Sequence, residues 1–135
     1  MSYKIDEIEG IGPAKKEALA NADIATTDAL LEKGADPAGR KAVAEASGLS
    51  EKEILKFCNM ADLMRIKGVG EEYSELLEAA GVDTVKELKM RRADNLTAKM
   101  AEVNEGKNLV RSLPSESVVE GWIEQAKELP PVLTY

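Results

Sequence analysis

Two copies of one short phrase, Ile8-Glu9-Gly10-Ile11-Gly12 and Ile66-Lys67-Gly68-Val69-Gly70, limit what this chain can fold into. Gly68 lies 58 positions beyond Gly10, and the same offset sets Ile5 against Leu63, Leu19 against Leu77, Ala22 against Ala80, Ile24 against Val82, Thr26 against Thr84 and Leu30 against Leu88. Self-similarity at such a period marks one supersecondary unit repeated. The chain therefore reads as two related halves, residues 1–60 and residues 61–135, the second including the closing segment.

Up to the glycines an apolar residue recurs at every third position, Ile5, Ile8, Ile11 and Leu63, Ile66, Val69, as on one face of a short helix. Glycine turns a chain at positive φ without steric cost, and two glycines around one aliphatic residue make a tight reversal that points the aliphatic inward. A second helix follows each turn. Pro13 suits a first helical position, where its missing N–H is no loss. Tyr73, Leu76, Leu77 and Ala80 fall at i, i+3, i+4 and i+7, the spacing of a buried helix face.

The run from Gly10 to Ile24, and more closely Gly68-Val69-Gly70-Glu71-Glu72-Tyr73-Ser74-Glu75-Leu76-Leu77-Glu78-Ala79-Ala80-Gly81-Val82, resembles the helix-hairpin-helix motif. That pattern has Gly-h-Gly, a small residue four positions on, a leucine, then Ala-Gly-Ile or Ala-Gly-Val. The first copy departs from it at Lys16, where a small residue is usual, and at Asp23, where glycine is usual. With Gly34-Ala35-Asp36-Pro37, Ala61-Asp62-Leu63-Met64-Arg65-Ile66 and Trp122-Ile123-Glu124-Gln125-Ala126, the whole chain resembles an uncharacterised bacterial family, a domain of unknown function with tandem helix-hairpin-helix units. The resemblance implies a fold and carries no assigned activity.

Caps extend each half with further short helices. Thr26 or Thr27 starts one through Leu30 and Leu31 that ends at Gly34, and Asp36-Pro37 starts another that stops near Gly48. Ser50-Glu51-Lys52-Glu53 and Thr84-Val85-Lys86-Glu87 have the spacing of capping boxes. Asp94 is expected to cap Leu96–Val103, Ser115 to open the last helix, and the extra residues from Gly106 to Leu113 to add a turn. The helix opened by Ser50 meets no glycine or proline before Gly68, so its end is expected to serve as the first helix of the second hairpin and to weld the halves. Phe57 and Trp122 correspond when Ser50 is set against Ser115, and each is read as the core aromatic of its half. The expected fold class is all-α, with two tandem helix-hairpin-helix units sharing one compact core. A half of about sixty residues is marginal alone, whereas 135 residues with 44% hydrophobic content can bury a real core.

Histidine is absent, which removes serine–histidine and cysteine–histidine catalysis, histidine metal sites and the usual proton shuttle near neutrality. Cys58 is the only cysteine, so an internal disulfide and a cysteine metal cluster are both excluded, and it reads as a small buried hydrophobe. Neither Gly-h-Gly continues into a P-loop or a dinucleotide fingerprint. The carboxylates, Glu71, Glu72, Glu75 and Glu78 among them, lie on polar helix faces. The reading is a protein that is not an enzyme, with no catalytic, cofactor or metal residues. No apolar run approaches the length of a membrane span, so the expected place is the cytoplasm, away from any membrane.

What remains is contact with a partner. In nucleic-acid-binding relatives of the broad motif the Gly-h-Gly turn offers backbone N–H groups at a helix start to a phosphate. The candidate contact residues are therefore Gly10, Ile11, Gly12, Lys15 and Lys16 in the first copy and Gly68, Val69 and Gly70 in the second. Glu71 and Glu72 would repel a phosphate, and with 18 Lys plus Arg against 25 Asp plus Glu the net charge is −7. A protein partner or self-association is favoured, and weak, sequence-independent DNA or RNA backbone binding through the first copy is the alternative. The basic run Lys86, Lys89, Arg91, Arg92 is read as a solvated helix end. The segment from Leu129 to Tyr135 is too apolar to stay wholly solvated and is expected to dock, in the favoured reading by folding back over its own helices and in the alternative on a neighbouring chain or partner.

Overall fold

Side-chain caps start most of the helices where the sequence places them. The computed structural model describes residues 2–135, in which a short 3-10 turn, Ile5–Glu7, precedes α1 (Pro13–Ala20), α2 (Thr27–Lys33), α3 (Pro37–Ser47), α4 (Glu51–Leu63), α5 (Glu71–Ala79), α6 (Val85–Leu88), α7 (Ala93–Lys107) and α8 (Glu116–Glu128). Among the described residues there is no strand, only an isolated bridge between Lys4 and Thr26. The protein is all-α. Thr26 Oγ1 accepts from Ala29 N at 3.1 Å, Asp36 Oδ1 from Gly39 N at 2.7 Å, Ser50 Oγ from Glu53 N at 3.1 Å, Thr84 Oγ1 from Glu87 N at 3.3 Å and Ser115 Oγ from Val118 N at 3.3 Å. Each bond satisfies a donor that the helix start would otherwise strand. Thr27, buried beside the Thr26 cap, accepts from Tyr3 N at 3.0 Å instead.

Asp94 does not cap a helix. α7 begins one residue before it, at Ala93, with Arg92 as the flanking residue. Arg92 Nη2 takes the Asp94 carboxylate at 2.9 Å, and that pairing, helped by Asn95 N, holds the carboxyl below its usual range. Of the extra residues only Gly106 and Lys107 belong to α7, which is closed by Asn108 at φ 51°; the others, through Leu113, form a loop and no further helical turn. Beyond α7 the Asn104 amide accepts from Val110 N at 3.0 Å and donates to Val110 O at 3.2 Å, seating buried Val110 while Leu113 stays exposed.

The chain divides into two compact units, one running to Asp62 and taking in Val132–Tyr135, the other Leu63–Pro131. In the first unit Ile5, Ile8, Leu19, Ile24, Leu30, Ile54 and Phe57 are buried. In the second Leu63, Ile66, Val69, Leu76, Leu77, Val82, Leu88, Met100, Val119 and Trp122 form the core cluster. The apolar residues paired by the 58-position offset are buried in both units, so the duplication in sequence is a duplication in packing. Cys58 is fully buried, and burial pushes its thiol up to about 12, with Arg40 opposing the shift and Asp62 adding to it. A thiol so placed is a packing group and not a nucleophile at neutral pH. No helix among the described residues is long and apolar enough to cross a membrane.

Candidate functional site

Both turns have the same backbone. Gly10 stands at φ +96° and Gly68 at φ +98°, the left-handed region that favours glycine. The aliphatic between the glycines points inward as the pattern demands, Ile11 being 5% exposed and Val69 fully buried. Ile11 N donates to Ile8 O and Val69 N to Ile66 O, each at 3.1 Å. Beneath the first glycine of each turn lies the core aromatic of that unit. A Cβ at Gly10 would sit 3.5 Å from Phe57 Cε1, and one at Gly68 would sit 3.2 Å from Trp122 Nε1.

The second glycines differ from the first. Gly12 flanks α1 at φ −90° and Gly70 flanks α5 at φ −106°, backbone that other residues adopt. A Cβ at either would meet nothing within 4 Å. Neither turn geometry nor packing requires glycine there. Its consequence is bare backbone at two helix starts that have no side-chain cap, with Gly12 exposed and Gly70 half-buried.

Around these turns the structure places charges that spacing did not reveal. Lys15 Nζ is 2.9 Å from Glu53 Oε2 and 5.5 Å from the Phe57 ring centroid. The hydrogen bond from Lys15 holds the Glu53 carboxyl below its usual range. Lys16 Nζ lies 3.4 Å from Asp6 Oδ2. Both candidate phosphate contacts are thus paired with carboxylates of their own unit, although the pairs are solvent-exposed and such pairs are weak.

In the second unit Tyr73 takes the place of Lys15 under the 58-position offset and packs on Trp122, ring centroids 5.2 Å apart and tilted by 54°. The peptide of Lys67 is held at both ends by one side chain: Lys67 N donates to Gln125 Oε1 at 2.9 Å, and Gln125 Nε2 donates to Lys67 O at 3.2 Å. Ser74, which corresponds to Lys16, is fully buried and donates to Glu71 O at 3.0 Å. The extra loop runs along α5, with Tyr73 Oη donating to Ser112 O at 2.9 Å and Arg111 Nη2 reaching Glu72 at 3.3 Å. A fully buried position demands a small residue at Ser74, whereas Lys16 is exposed and a long cation fits.

The basic run on α6 and beyond is partly neutralised: Arg91 binds Glu87 at 3.1 Å and Gly81 O at 2.9 Å, and Arg92 binds Asp94. Among the described residues no three of His, Cys, Asp or Glu gather closely enough to hold a metal ion. The spacing of the chain missed Glu53, Asp6 and Gln125 as neighbours of the turns. None of the three partnerships left a spacing signal: Ser50-x-x-Glu53 places Glu53 in the first turn of α4 without pointing to Lys15.

No curated protein and no solved structure matches the chain. The described geometry is one of paired turns held over paired aromatics from near the start of the chain to α8, and residues 9–129 match the family model of a domain of unknown function, DUF4332, so that the chain belongs to that family.

Proposed function

We propose that the two glycine turns are helix-hairpin-helix units in tandem and that the chain is a non-enzymatic, cytoplasmic interaction module whose turns contact a protein partner. The observation that carries this reading is the second glycine of each turn. Gly12 and Gly70 recur at the repeat offset with no φ or packing demand upon them, and bare backbone is what a closely approaching partner needs. The charges set the kind of partner. Lys15 and Lys16 are engaged with Glu53 and Asp6, and Glu71 and Glu72 open α5, where Glu72 meets Arg111, so these turns suit a protein surface of mixed charge better than a phosphate.

Substituting Gly12→Gln and Gly70→Gln tests it, since both positions have room for a side chain. The expected result is an unchanged melting temperature with loss of partners captured from native lysate in the presence of nuclease. Capture that survives both substitutions would remove the turns from the function. The second reading, weak DNA or RNA backbone binding through Gly10, Ile11, Gly12, Lys15 and Lys16, draws on the exposure of the two lysine pairs, which a phosphate can compete for. It predicts duplex binding that is steeply weakened by salt and abolished by Lys15→Glu with Lys16→Glu.

A further inference from the structure

The aromatic beneath the second turn carries a hydrogen-bond donor that the first turn lacks. Trp122 is 3% exposed, and its Nε1 lies 3.2 Å from where a Cβ on Gly68 would stand, whereas a carbon edge of Phe57 fills the same place under Gly10. An indole nitrogen donates and cannot accept, and a buried one usually finds an acceptor. Trp122 Nε1 has none among the described residues. The carbonyl of Lys67 takes Gln125 Nε2 at 3.2 Å, and that of Ile66 takes Val69 N at 3.1 Å. No buried side-chain nitrogen or oxygen among the described residues lacks a partner, so this N–H, without an acceptor, reaches solvent at the exposed Gly68.

Its surroundings hold the donor still. Tyr73 packs against the indole and is itself tied to Ser112 O at 2.9 Å, while Gln125, one turn further along α8, clasps the Lys67 peptide at both ends. Gly68 has no side chain to cover Nε1, and Gly70, at the uncapped start of α5, has nothing within 4 Å of where its own Cβ would be. A donor fixed before binding loses little freedom on meeting an acceptor. The charges at this turn select which acceptor. Lys67 and Arg111 stand against Glu71 and Glu72, and the two glutamates already answer the positive end of α5, so the turn offers an anion no net attraction. A neutral carbonyl fits best.

We propose that Trp122 Nε1–H is the donor by which the second turn binds a protein partner, and that its acceptor is a backbone carbonyl oxygen of that partner. The inference rests on the reading that the turns meet a protein, and it names the group that the second turn offers. The first turn, over Phe57, has no such donor, so the two turns are unequal in contact although alike in backbone.

Trp122 is the only tryptophan, so its indole N–H gives one resonance in the ¹⁵N-labelled full chain. The probe is N-methylacetamide, a neutral peptide carbonyl, with inorganic phosphate and acetate at matched ionic strength as anionic counterparts and N-acetyltryptophanamide in the same solution as a free indole. The expected result is a downfield indole shift larger than that of the free indole, accompanied by the amides of Gly68 and Gly70 and not by those of Gly10 and Gly12. A shift no larger than the free indole's, an equal response at both turns, or a larger response to phosphate or acetate would overturn the proposal. Exchange of the indole proton in deuterated water as slow as that of core amides would also overturn it, because a shielded donor meets no partner. Trp122→Phe installs the ring that already serves the first turn and removes only the donor. The response of Gly68 and Gly70 should then disappear, and its persistence would count against the indole; if this variant folds poorly, the shifts of the unmodified chain decide. Capture from native lysate separates the two readings: partners lost on Gly70→Gln but kept by Trp122→Phe would remove the indole and leave the glycines, and partners lost on Trp122→Phe but kept by Gly12→Gln and Gly70→Gln would do the reverse.

Discussion

The two glycine turns share a backbone and differ in what holds it. In the first, Gly10 rests on Phe57, and the neighbouring lysine both covers that ring and pairs with Glu53 at the surface. In the second, Gly68 rests on Trp122, a tyrosine covers the ring in place of the lysine, and Gln125 bonds both ends of the Lys67 peptide. A charged, solvent-exposed lock stands in one copy and a neutral, partly covered one in the other. The requirement common to both is a positive φ over an aromatic face. How the next helix is fastened to that aromatic is free to vary, because a cation over a ring, an aromatic pair and a bidentate amide all contribute on the scale of a kilocalorie.

The largest expected effect tests the shared part. Trp122→Ala and Phe57→Ala should each destabilise by about 3–5 kcal/mol, the usual cost of emptying a core aromatic site. Denaturant melts that found either below about 1 kcal/mol would break the equivalence of the two aromatics. Next come the glycines. Gly10→Ala and Gly68→Ala should cost about 1–2 kcal/mol for the left-handed backbone alone. Gly68 should be the more sensitive, because its added Cβ meets Trp122 at 3.2 Å where Gly10 meets Phe57 at 3.5 Å. By contrast Gly12→Ala and Gly70→Ala should change stability little, since a poorer cap is offset by the lower entropy of the unfolded chain. A large loss at Gly12 or Gly70 would return those residues to a purely structural role.

Gln125→Ala should cost about 1 kcal/mol by releasing the Lys67 peptide, and hydrogen exchange at Lys67 N should quicken selectively. Unchanged protection there would show that the clasp does not hold the second turn. The smallest effect belongs to the charged lock. Because Lys15 lowers the Glu53 pKa from its ordinary 4.5, the pair favours the fold above that pH, and this contribution is lost as pH falls through the lower, folded value. Glu53→Gln should therefore flatten part of the acid limb of a melting-temperature profile, an effect that added salt also diminishes. An acid limb identical in both proteins would mean the pair contributes nothing measurable to the first turn.

The legible part of the fold was the part written within a few residues. Thr26, Asp36, Ser50, Thr84 and Ser115 cap helices because a short oxygen-bearing side chain reaches an N–H two or three positions on, wherever the rest of the chain goes. The same locality misled at Asp94, whose oxygen had a competing partner in the Arg92 guanidinium two positions back. Asp23 is instructive in the same way. It stands where the second copy has Gly81, and it adopts φ 60° where Gly81 adopts 95°, a conformation that aspartate tolerates better than most residues. The departure from the motif was visible in sequence, and its harmlessness was visible only in the backbone.

From the chain of residues alone came the duplication, the all-helical class, the turns with Ile11 and Val69 inward, and the pairing of Phe57 with Trp122 as core aromatics. All of these rest on periodicity and on contacts between near neighbours, which a one-dimensional pattern records. Tertiary structure alone decided that Lys15 and Lys16 are paired, that Gln125 clasps Lys67, that Ser74 is buried while Lys16 is not, and that Thr134 binds Arg40 across 94 positions. A hydrogen bond or ion pair between distant residues leaves no spacing to read, because its existence depends on where separate helices bring their side chains, and several acceptors of equal chemistry are available to each donor until the chain has folded.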